Sequence, residues 1–91
     1  MRAAGDGGEL RFGGQIVADL AAWDAEVWDG GELVGKARLA SEPNSCYLEH
    51  GHDFKLTLYL GRMDIRGQAV TAVVADGMLH FHLRRDQGGK K

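Results

Sequence analysis

The chain's 91 residues have room for one domain and not two, and its single cysteine excludes an intramolecular disulfide framework, which fits a reducing, cytoplasmic setting. No apolar window approaches the ~18 residues of a membrane span and no basic stretch leads into an apolar segment, so neither membrane insertion nor export is expected. The net charge of −2 divides into −5 from Glu9 to Leu83 (eleven acids, six bases) and +3 from Arg84 to Lys91 (four bases, one acid), and an acidic fold lacks the phosphate-neutralising face of a nucleic-acid binder.

Residues 1–8 and 85–91 are Gly-rich, charged and almost free of large apolar groups. Ordering them costs backbone entropy with little burial in return, so both ends are expected to be flexible, the second as a basic tail. A single β-rich domain then spans the 76 residues from 9 to 84. At that size roughly 60–65% of the unfolded chain's surface is buried, stability is marginal, and self-association adds to it.

Gly13-Gly14 reads as a bend. The stretch 15–28 admits two periodicities. Trp23, Ala25 and Val27 alternate as on a strand, which turns Trp28 to the other face with Asp24 and Glu26. Ile16, Leu20, Trp23 and Val27 also follow helical spacing, with Gly30 or Gly31 as a stop. Strands are favoured, because Ala-rich stretches give ambiguous periodicity and Asp29-Gly30-Gly31 separates Trp23–Trp28 from Glu32–Leu39 as a hairpin turn does. Asp19, Asp24, Glu26, Asp29 and Glu32 include no base between them, the pattern of a solvated face. A tryptophan on such a face anchors a partner or a second copy of the chain, so Trp28, Asp24 and Glu26 are the candidate contact residues.

Ala40–Ser45 holds the only proline, Pro43, and is expected to be a loop. All four histidines fall in two His-x-His pairs, His50 with His52 and His80 with His82, and a strand puts both members of a pair on one face. Two such strands side by side could converge imidazoles on Zn²⁺. If the chain is extended through Gly51, His50 and His52 share the face of Phe54 and Leu56, while His80 and His82 lie opposite Leu79 and Phe81. Cys46 precedes His50 by four residues, but the neighbouring Glu49 and Asp53 oppose thiolate formation.

From Asp53 onward the period is two. Phe54, Leu56, Leu58 and Leu60 share one face, and Lys55, Thr57 and Tyr59 the other. Gly61–Asp64 reads as a turn and Ile65–Val74 as a strand rich in β-branched residues. Asp76-Gly77 is a tight-hairpin signal that leads into a strand from Met78 to Arg84, with Leu79, Phe81 and Leu83 on one face. The whole predicts a mainly β fold, a small antiparallel barrel or two-layer sandwich of about six strands, with one helix near 15–28 as the rival to a strand there.

Cys46-Tyr47-Leu48-Glu49-His50-Gly51-His52 followed by Phe54 and a strand resembles the zinc-binding strand of the pyruvoyl-tetrahydropterin synthase family, where a Cys-x3-His-Gly-His motif precedes an aromatic residue. The resemblance covers about fifteen residues, Cys46–Leu60. It implies zinc on His50 and His52 and a proton-transfer role for Cys46. The family takes a third zinc histidine from an earlier strand, and this chain has no histidine before His50. The strand order from Leu39 to Leu83 is also similar to that of PilZ domains, six-stranded barrels that bind cyclic dinucleotides, which implies a small-ligand receptor. Their Arg-x-x-x-Arg motif is absent, and Leu39–Asn44 retains only Ser41 of the second motif.

With no complete catalytic constellation, the expected function is a non-enzymatic β-rich interaction module that forms a homodimer or binds another protein through an exposed strand edge and the Trp28 region, without a cofactor. The first rival is a metal protein using His50, His52, His80 and His82, and the second is the small-ligand receptor.

Overall fold

A computed structural model describes residues 1–86. Its strands are β1 (Arg2–Gly5), β2 (Gly8–Phe12), β3 (Gln15–Val27), β4 (Leu33–Leu39), β5 (Lys55–Leu60), β6 (Met63–Ala75) and β7 (Met78–Arg85), with one short helix, α1 (Ser45–His50). Six of them close into an antiparallel barrel in the order β3-β2-β5-β6-β7-β4, sealed by the pairing of β4 with β3, and β1 is an extra strand on β3. The barrel form of the expected mainly β fold is thus the one adopted.

Closure depends on β3 pairing with three strands along its length. Its first half pairs with β2 (Gly8 opposite Leu20), and its second half lies between β1 (Arg2 opposite Glu26) and β4 (Leu33 opposite Val27). Register shifts at Leu10/Arg11, Leu20/Ala22 and Ala69/Thr71 bend these long strands around the axis. The interior follows the period-two pattern: Leu56 and Leu58 of β5, Leu79, Phe81 and Leu83 of β7, and Trp23 and Ala25 of β3 are all buried. Among the described residues no polar or charged side chain is buried, so the apolar interior carries no desolvated charge. Gly35 in β4 is required by close approach, because a Cβ there would run into the Asp24 carbonyl and sit 2.5 Å from the Ala25 Cα.

The strand favoured over 15–28 is β3, in place of its helical rival, because alternate residues reach the core while Asp24 and Glu26 face out. Two expectations are corrected. Residues 1–8, expected to be flexible, form β1 and the start of β2, because Arg2–Gly5 finds a ready partner in the outer half of β3. The extended run through His50 is replaced by α1 over Ser45–His50. There Asn44 caps the first turn by accepting from the Tyr47 N–H (3.4 Å), and Tyr47 and Leu48 turn onto the core. The expected basic tail begins with Arg85 at the end of β7; its residues 87–91 lie outside the described residues.

Candidate functional site

The hairpin of β3 and β4 presents its outward side chains on the face it shares with β7 and the second half of β6. Cross-strand register sets them in two rows. One runs Thr71, His82, Val34, Glu26, Arg2, and the next Val73, His80, Lys36, Asp24, Ala4. The structure therefore gathers on one face residues from opposite ends of the sequence: the predicted contact residues Asp24 and Glu26, and the predicted histidines His80 and His82.

Trp28 stands at the edge of this face, where the chain leaves β3 for the 3₁₀ turn Asp29–Gly31. The residue is 47% exposed. Two contacts hold it: its indole N–H donates to Glu26 (3.1 Å), and its ring lies 5.5 Å from that of His82, inclined at 58°. His82 is fixed from the other side by Glu32, whose carboxylate lies 2.5 Å from Nε2 and 3.6 Å from Arg84 Nε. Asp24 pairs with Arg2 at 2.7 Å. The large aromatic surface is thus exposed yet oriented, and less rotamer entropy remains to be lost when something covers it.

The hydrogen bond from His82 holds the Glu32 carboxyl below its ordinary value; partial burial opposes that effect and Arg84 assists it. A lowered folded-state value means that the unfolded chain binds the proton first as pH falls. Stability from this group is therefore present above pH 4.5, the ordinary value, and is lost on acidification through the folded-state value. Glu32→Gln is expected to flatten the acid limb of a stability-against-pH curve below pH 4.5 and leave the fold intact. An unchanged acid limb in urea unfolding would remove Glu32 from this role.

Charges pair on the rest of the outer surface as well: on β2 and the first half of β6, Arg11 with Glu9 and Arg66 with Asp64, each at 3.0 Å. The Tyr59 hydroxyl donates to Glu9 (3.0 Å), and that bond raises its phenol above the ordinary range. Beside the Trp28 face a groove of about 600 Å³ opens, bordered by Asp24 and Lys36 from that face and by Asp6, Gly5, Tyr59 and Leu60 across it. The groove lies outside the barrel, whose interior is packed with the buried apolar side chains.

The remaining predicted residues lie elsewhere. His50 ends α1 and is exposed, as is Cys46. His52 follows in the loop to β5, its ring 6.1 Å from that of Phe12, in an aromatic group completed by Tyr47 and Phe54. The motif that resembles the synthase zinc strand is therefore a helix and a loop. Among the described residues, no three His, Cys, Asp or Glu side chains are grouped as metal ligands.

Sequence reasoning missed Glu32, Arg84, Val34 and Lys36 as parts of the Trp28 face. Glu32 and His82 meet across 50 positions, a pairing that only the register of β4 against β7 sets. No protein-family model, curated protein or solved structure matches the chain.

Proposed function

We propose that this chain is a non-enzymatic interaction module that self-associates through the face around Trp28. The observation that carries the reading is the half-exposed indole, held by Glu26 and by the His82–Glu32 pair on a sheet face that also presents Val34 between His82 and Glu26. An exposed aromatic ring with apolar neighbours and a polar rim is the composition of a contact hot spot. The face carries both signs of charge, Asp24 and Glu26 beside Arg2 and Lys36, so a two-fold arrangement can set unlike charges against each other. A single aromatic anchor on a face of this width corresponds to a transient interface with a dissociation constant of about 1–100 μM.

Sedimentation velocity over a dilution series tests the reading. The expected result is a monomer–dimer equilibrium in that range. Monomer throughout, with no partner protein retained by the Trp28 face, would overturn it.

A further inference from the structure

β6 outruns β5. The two pair from Met63 to Gln68, and one further bond joins the Ala69 N–H to the Phe54 carbonyl, whereas β7 accompanies β6 to Ala75. Beyond Ala69, β6 is therefore an edge strand on the side that β5 has left. The Asp76-Gly77 turn has φ of 55° and 75°, the positive values of a type I′ hairpin. In such a hairpin the flanking residues, here Ala75 and Met78, exchange both hydrogen bonds, and alternation then assigns Val73 and Thr71 to β7 as well. Ala72 and Val74 turn their N–H and C=O groups away from β7, and among the described residues no strand or loop backbone pairs with them on that side.

A groove of about 440 Å³ runs along this edge, with Pro43, Leu48 and Glu49 on its far wall and Ala72 and Val74 on its near one. Val70 and Val73 beside it are 42% and 58% exposed. Glu49, at its rim, makes no ion pair among the described residues, and the folded part of the chain is acidic.

We propose that the Val70–Val74 edge of β6, with the groove between it and α1, binds an extended segment of a partner protein that carries apolar residues at alternate positions and a basic residue to meet Glu49. Donors and acceptors two residues apart along an edge match another backbone in extended form, which a helix or a small polar ligand cannot supply. Alternate side chains of the added strand then point to one face, where Leu48 and Val74 offer apolar surface, and Glu49 supplies the charge complement. The site uses the free backbone groups of Ala72 and Val74, which association through Trp28 does not engage, and it does not require that association.

The test is an NMR titration of the ¹⁵N-labelled protein with an acetylated, amidated octapeptide of alternating valine and lysine. A second octapeptide has the same sequence and N-methyl groups on the backbone nitrogens that face β6. The expected result is saturable shifts of the amides from 70 to 75 and in α1, with the N-methylated peptide weaker by about tenfold or more, since it can donate none of the backbone bonds to β6. Glu49→Lys, at an exposed position, is expected to weaken the first peptide and leave the spectrum of the barrel unchanged. Shifts absent at about 1 mM peptide, or equal binding of both peptides, would overturn the proposal. So would movement of the same amides with protein concentration alone, because the edge would then be taken by a second copy.

Discussion

Replacing Trp23 by alanine is expected to destabilise the barrel by about 3–5 kcal/mol, the usual range for deleting a large buried aromatic. Trp23 is 3% exposed and belongs to the second half of β3, where that strand carries both β1 and β4. Its indole N–H donates to the Tyr59 carbonyl at 3.1 Å, which ties β3 to the end of β5 across the glycine-lined approach at Gly5. The alanine variant thus loses packing and also leaves that carbonyl without its donor. A domain of this size holds roughly 0.05–0.15 kcal/mol per residue in total, so the loss takes away a large share of it. Urea unfolding followed by far-UV circular dichroism measures the effect. A midpoint within error of the parent protein would mean that Trp23 does not carry this part of the barrel.

Trp28→Ala is expected to do the reverse: the fold persists and association is lost. The side chain fills no interior space, so its removal changes stability by no more than about 1 kcal/mol, as for other exposed positions. At an interface, truncating a central tryptophan costs about 2 kcal/mol or more, which weakens association by about 30-fold or more. Trp28→Phe tests the assignment more finely. It keeps an aromatic surface but removes the donor to Glu26, so an intermediate loss is expected. Sedimentation of the three proteins at matched concentrations reads the order. Equal association in all three would separate Trp28 from the interface and leave the face without its anchor.

The opposite fates of the two tryptophans were legible in the sequence, because strand parity alone sets residues 23 and 28 on different faces. The same alternation marked Leu56 and Leu58, then Leu79, Phe81 and Leu83, as interior, and Asp76-Gly77 marked the closing hairpin. Two kinds of information were not local. The first is the register that closes the barrel: nothing near Glu32 announces His82, and nothing in Arg2–Gly5 announces that β3 extends far enough to pair with it. The second is competition between local structures. His50-Gly51-His52 reads as extended by its spacing, but Asn44 supplies a helix cap while Tyr47 and Leu48 gain core contact, and together these favour one short helix turned against the barrel. The resemblance to a zinc strand was carried by residue types and lost its geometry there. His80 and His82 kept theirs, both outward on β7, and His82 is engaged by Trp28 and Glu32.

The most direct measurement is the ¹H–¹⁵N spectrum of the two indole N–H groups, recorded as the protein is diluted. If the chain self-associates through the Trp28 face, the Trp28 indole signal moves with concentration and the Trp23 signal, hydrogen-bonded inside the barrel, stays in place. A Trp28 signal that does not move while sedimentation reports a dimer would place the interface elsewhere and contradict the proposed function.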